Sequence, residues 1–138
     1  MKNFKNKIAV VTGGGTGMGR ELVRQLAAEG CHVAMCDVIQ ENMEETFKIV
    51  SKECPNVKVT KHICDVSDEE QVLQFKDEVI DQHDTSVINL LFNNAGIGGG
   101  GSFVEGSREE WERCFAVCGY GVYSCSRAFM DYIDASDE

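Results

Sequence analysis

Proline is nearly absent: Pro55 alone occurs in 138 residues. With no proline-rich or low-complexity tract, nothing reads as a linker or a disordered tail, so residues 1–138 are expected to form one unit without an internal boundary. Basic residues are scarce too, 13 Lys and Arg against 23 Asp and Glu, for a formal charge of -10. That balance argues against a nucleic-acid surface, which needs clustered cations, and against an anionic membrane surface. Long apolar runs are missing. After the basic start Met1–Lys7 the run Ile8–Val11 is too short for a signal-peptide core, and no segment approaches a membrane span. Small molecules and proteins are left as expected partners.

The seven cysteines are an odd number and include no Cys-x-x-Cys pair. This argues against a disulfide framework and fits the free thiols of a cytoplasmic protein. Cys114 and Cys118 are four apart and share a helix face, but no histidine accompanies them, so they are expected as buried small hydrophobes rather than metal ligands. His32, His62 and His83 are scattered singly and read as ordinary polar or core residues.

What the chain does have is strand and helix in alternation. Ile8–Val11 is a continuous β-branched run ending in Thr12-Gly13, as in a strand covered on both faces. From Gly17 to Glu29, Met18, Leu22 and Leu26 recur at helical spacing, flanked by Val23 and Ala27, and Gly30 stops the helix. His32–Asp37 reads as a second strand. Glu41 to Glu53 reads as a helix with Met43, Phe47 and Val50 inward, ended by Pro55, and Val57–Cys64 as a third strand. Ser67-Asp68-Glu69-Glu70 forms a capping box with Ser67 at the cap, opening a helix with Val72, Phe75 and Val79 on one face. Val87–Phe92 is the fourth strand. After the glycine-rich stretch Gly96–Gly101, Ser107-Arg108-Glu109-Glu110 caps one last helix carrying Trp111, Phe115, Val122 and Phe129. This alternation predicts an α/β fold with a doubly wound parallel sheet of four strands and right-handed crossovers.

Between the first strand and its helix lies Thr12-Gly13-Gly14-Gly15-Thr16-Gly17-Met18-Gly19, in the context a dinucleotide fingerprint requires. Gly13 can make the tight exit from the strand, Gly17 lets the backbone approach a pyrophosphate, and Gly19 lets the helix pack close to the sheet. Thr16 and Met18 belong to the same candidate loop, and the phosphates would sit at the helix N-terminus. A Walker A loop shares the glycine spacing, but Arg20 and Glu21 stand where its Lys and Ser or Thr should be. Asp37 closes the second strand near the spacing at which a carboxylate binds the adenosine ribose, where it would repel a 2′-phosphate. Neither Thr16 nor Val38 supplies an offsetting positive charge, so NAD is the expected cofactor and NADP is disfavoured.

The fingerprint Thr12–Gly19, with Asp65-Val66 after the third strand and Asn93-Asn94-Ala95-Gly96 after the fourth, resembles the short-chain dehydrogenase/reductase family. The resemblance runs from about Lys7 to about Met130. It implies a Rossmann fold with strand order 3-2-1-4 over this stretch, and NAD(P)-dependent oxidation of alcohols or reduction of carbonyls. It also implies that Asp65 and Val66 contact adenine, and that Asn93, Ala95 and Gly96, with Asn94 between them, support the sheet and line the cofactor's ribose.

Family members are longer, and their chemistry uses a Ser, a Tyr and a Lys four residues after that Tyr. This chain has no Tyr-x-x-x-Lys. Tyr123 and Arg127 have the spacing, but arginine holds its proton too firmly for a relay. Where the family has a helix Asn in Val-Asn-x-x-Gly, Val117-Cys118-Gly119-Tyr120-Gly121 puts a thiol. The expectation is therefore a cofactor-binding portion, incomplete at its C-terminus and without catalytic residues of its own, ending in a frayed acidic tail Asp131–Glu138. The alternative is a non-catalytic NAD-binding or protein-interaction module, self-associating through the fourth-strand edge or the last helix.

Overall fold

The computed structural model describes residues 3–99 and 101–137. Gly100, expected in the glycine-rich stretch, and the terminal residues Met1, Lys2 and Glu138 lie outside the described residues. The chain runs β1 (Ile8–Thr12), α1 (Gly17–Ala28), β2 (His32–Asp37), α2 (Gln40–Glu53), β3 (Val59–Ile63), α3 (Glu69–His83), β4 (Leu90–Phe92), α4 (Arg108–Phe115), a π-helical turn (Ala116–Tyr120) and α5 (Gly121–Asp134). The strands pair in parallel in the order β3-β2-β1-β4. This is the predicted Rossmann-like sheet, with helices on both faces.

The continuous apolar strands follow from that double cover. In β1, Ala9 and Val11 join Val23, Leu26, Met43 and Val50 beneath α1 and α2, whereas Val10 joins Val72, Phe75, Val79, Cys125 and Phe129 beneath α3 and α5. Alternate residues of one strand thus feed opposite cores, and all are fully buried.

Several expectations need correction. β4 spans Leu90–Phe92, not Val87–Phe92. The Asn89 side chain stands in for the ladder by accepting from Ile8 N at 2.9 Å, and Ile88 N donates to Tyr132 O of α5. β3 likewise begins at Val59 and ends at Ile63. Met18 does not belong to the buried stripe of α1; it is 82% exposed. α3 is capped by Asp68, which accepts from Glu70 N and Gln71 N. Ser67 is drawn away because its hydroxyl and N–H both donate to Asp65 Oδ1. The Ser107–Glu110 capping box forms as predicted.

The last helix is not continuous. The π turn inserts residues into the helical ladder and changes the face presented on either side of it. Phe129 and Cys125 are fully buried, while Trp111, Phe115 and Val122 are exposed. Cys114 is half-buried and Cys118 exposed, so neither is the core thiol expected. The acidic tail is not frayed through its described length. It is helical to Asp134, and Ser136 Oγ accepts from Asn89 Nδ2 at 3.0 Å.

Beside β3 the two histidines form a polar chain. Glu78 Oε2 lies 2.9 Å from His62 Nδ1, His62 Nε2 lies 2.8 Å from Thr60 Oγ1, and that hydroxyl lies 2.9 Å from His83 Nε2. Burial, then the cations Lys58, His62 and His32, push His83 down to about 4, and burial also lowers His62 despite Glu78. A histidine harder to protonate when folded stabilises the fold above its unfolded pKa, and that stability is lost as pH falls. Urea midpoints are therefore expected to fall between about pH 6.5 and 4, by on the order of 2 kcal/mol in stability after solvent screening. His83→Gln should flatten much of that decline, and a midpoint constant over this range would contradict it.

Candidate dinucleotide site

At the carboxyl ends of the strands the chain crosses from β1 to α1 through the glycine turn. Gly13 (φ 71°) and Gly17 (φ 56°) occupy the left-handed region that glycine tolerates. The turn is fastened from below. Arg20 Nη2 donates to Gly15 O at 2.6 Å, Thr46 Oγ1 to Gly14 O at 3.0 Å, and Gly15 N donates to Asp37 Oδ2 at 3.0 Å. A Cβ on Gly15 would come within 2.7 Å of that carboxylate oxygen, so the glycine is what admits Asp37. At the head of α1, Thr16 makes no side-chain cap bond and the first turn has no acidic residue. Its amide groups are left for an anion.

β1 and β4 are tied together at the same end. Asn94 Nδ2 donates to Thr12 O at 3.0 Å and Gly13 O at 3.2 Å, while Thr12 Oγ1 accepts from Asn94 N and Ala95 N. The sheet-supporting role expected of the Asn-Asn-Ala-Gly run thus falls on Asn94. Asn93 is a departure: it does not line the cleft, and its Nδ2 donates to Ser126 Oγ of α5 at 3.1 Å.

A cleft of about 370 Å³ opens above this platform. Of the residues predicted from sequence, it is lined by Gly13, Thr16, Gly17, Met18, Gly19, Asp37, Asp65, Val66, Ala95 and Gly96. The exposure of Met18 is explained by this position. Sequence reasoning missed Asn42, Ile97, Arg113 and Val117 in the same wall. Arg113 reaches back from α4 to Asp65 Oδ2 at 3.0 Å and Ser67 Oγ at 2.6 Å. Burial pushes the Asp65 carboxyl up, but the hydrogen bonds from Ser67 and the Arg113 guanidinium outweigh it and hold the group below its ordinary value. Nothing local foretells a pairing across 48 residues.

A family model described as short chain dehydrogenase matches residues 7–138. The chain belongs to the short-chain dehydrogenase family. Meso-2,3-butanediol dehydrogenase from Serratia marcescens is 33% identical over 130 residues, 94% of this chain and 49% of that protein. A short-chain dehydrogenase/reductase from Burkholderia phymatum, solved in complex with NAD, superposes with a TM-score of 0.87 at 32% identity, covering 96% of this chain and 46% of that one. A metagenomic short-chain oxidoreductase solved with NADP gives a TM-score of 0.85 at 27% identity, covering 96% and 58% respectively. The chain spans about half the length of the curated relatives it matches. The first of the two solved structures thus holds NAD and the second NADP. Among the described residues, no group of three or more His, Cys, Asp or Glu could hold a metal ion, and no helix is long and apolar enough to cross a membrane.

Proposed function

We propose that these residues are the cofactor-binding portion of a short-chain dehydrogenase acting on alcohol or carbonyl groups, and that they bind NAD in preference to NADP. The observation that carries this reading is Asp37. It ends β2 at the cleft with one carboxylate oxygen bonded to Gly15 N and the other to Ile39 N. Each oxygen has a further lone pair for a ribose hydroxyl, and the negative charge opposes a 2′-phosphate. The glycine turn fits the pyrophosphate for a separate reason: around Gly17 nothing stands within 4 Å of where a Cβ would be.

When bound, the dinucleotide supplies hydride chemistry. In this reading the chain's residues position it. The α1 amides and Gly17 hold the phosphates, Asp37 holds the ribose, and Asp65, oriented by Arg113, meets the adenine beside Val66. No Tyr-x-x-x-Lys relay occurs in the 138 residues, so proton transfer to a substrate would need groups other than these. The test is calorimetric titration with NAD and NADP alongside a turnover assay with alcohols and ketones. NAD binding tighter than NADP, without turnover, is expected; a folded chain that takes up neither dinucleotide would sink the proposal.

A second reading, a protein-interaction module, is favoured by an aromatic row on the outer face. Phe103 packs edge-on against Trp111, which stacks on Phe115, and Phe115, Tyr120 and Tyr123 are each more than half exposed. Contiguous apolar surface of this kind drives association. Light scattering is expected to show a defined dimer that Phe115→Glu weakens at least tenfold, a loss of about 1.4 kcal/mol. A monomer at all concentrations removes this reading.

A further inference from the structure

Two sulfurs, Cys114 of α4 and Cys118 of the π turn, hold the backbone of the cleft-lining Ile97. Cys114 Sγ and Cys118 Sγ both donate to the carbonyl of Ile97, at 3.6 Å and 3.5 Å. The backbone beside that carbonyl lies across them: a Cβ on Gly96 would stand 3.6 Å from the Cys118 sulfur, and one on Gly99 would stand 3.8 Å from the Cys114 sulfur. Ile97 itself lines the cleft. Of the seven cysteines only Cys118 is exposed, while Cys31, Cys36, Cys64 and Cys125 are buried. Cys114 lies in the last turn of α4 while Cys118 lies in the π turn that breaks the helix, yet both sulfurs lie within 3.6 Å of the same carbonyl oxygen, so the two thiols converge on one point.

We propose that Cys114 and Cys118 form a redox-reactive dithiol that a hydroperoxide converts to an intrahelical disulfide, releasing the Ile97 carbonyl from both thiols. In the first step the Cys118 thiolate attacks a peroxide oxygen. The O–O bond breaks, hydroxide leaves and takes up the proton shed by the thiol, and Cys118 becomes a sulfenic acid. In the second the Cys114 sulfur attacks the Cys118 sulfur. The S–O bond breaks, and the hydroxyl leaves as water with the Cys114 proton. Two thiols lose two electrons, and hydrogen peroxide is reduced to two waters. The exposed Cys118 meets peroxide first, and the half-buried Cys114, held beside it on the same carbonyl, is the resolving thiol. The disulfide has no S–H, so Ile97 O loses both donors and residues 96–99 are no longer held against α4.

The consequence for ligand binding rests on the dinucleotide reading above: losing the two donors is expected to weaken NAD by about fivefold. The experiment treats the folded protein with equimolar hydrogen peroxide, alkylates it and maps the tryptic peptide Cys114–Arg127, which also contains buried Cys125. A peptide short of two hydrogens, with fragmentation placing the bond between Cys114 and Cys118 and with recovery under a thiol reductant, is expected. Cys114→Ser and Cys118→Ser should each abolish it at an unchanged urea midpoint, and peroxide should then no longer alter their NAD affinity. A bond involving Cys125, or overoxidised Cys118 without a bond, overturns the dithiol assignment. Reduced protein that binds no NAD overturns the dinucleotide reading and leaves the disulfide result standing. Equal NAD affinity before and after disulfide formation overturns the coupling between them.

Discussion

Gly19→Ala is expected to abolish dinucleotide binding and to destabilise the fold by about 2–3 kcal/mol, as overpacking of a tight contact does. A Cβ at this position would lie 1.9 Å from Gly13 O and 2.6 Å from Asn94 Nδ2. Both are backbone or tightly bonded groups, and Asn94 Nδ2 already donates to Gly13 O. Relief therefore requires α1 to back away from the sheet, which carries the glycine turn with it and breaks the tie between β1 and β4. Gly17→Ala provides the contrast. No atom lies within 4 Å of its Cβ, and its cost to the fold is only that of a left-handed φ of 56°, about 1 kcal/mol. Its methyl group would nevertheless occupy the space left for the pyrophosphate. Urea denaturation with NAD titration separates the two: Gly19→Ala should lose stability and binding together, Gly17→Ala mainly binding. A Gly19→Ala protein with parental stability and affinity would refute the close-packing account.

How much of this was legible in the sequence follows from the range of the forces involved. The strand–helix alternation was readable because β1 and β2 are buried on both faces, which demands continuous β-branched or small apolar runs, and because α1 to α3 present one-sided stripes. The site was readable where the chemistry is local: the glycine turn, Asp37 and the Ala95-Gly96 exit all reach the cleft. Long-range choices left no such mark. Ser67 forms a plausible cap until Asp65 claims its hydroxyl, and Val87–Asn89 is strand-like until the Asn89 side chain replaces the ladder. The π turn is equally silent, since Ala116–Tyr120 has ordinary helical periodicity. Its effect appears only in packing: Gly121 sits so close to Val66 that a Cβ would lie 2.6 Å from Val66 Cγ2. Arg113 reads as one more surface cation of a charged helix. Only the fold brings it over Asp65, making it part of the wall rather than a solvated charge.

Asp37→Asn should reverse the order of the two dinucleotides. The side chain keeps its size and an oxygen able to accept from Gly15 N, so the glycine turn is preserved. What is lost is the charge, together with the bond from Ile39 N, because the amide has one acceptor oxygen where the carboxylate has two. A hydrogen bond to a charged acceptor contributes about 1.5–3 kcal/mol, so NAD is expected to bind at least tenfold more weakly. NADP should move the other way. A carboxylate about 4 Å from a phosphate charge opposes it by on the order of 4 kcal/mol per unit charge at a protein surface, and removing that opposition strengthens binding even though no new contact is made. The ratio of the two affinities is the informative readout, because it separates two roles for Asp37. If the carboxylate served only to hold Gly15 N, the substitution would weaken both dinucleotides by the same factor, since both share the pyrophosphate seat. If it meets the ribose, the NAD-to-NADP ratio must fall by more than the NAD affinity alone. Calorimetric titration of both cofactors against both proteins measures it, and an unchanged ratio would remove Asp37 from the ribose site.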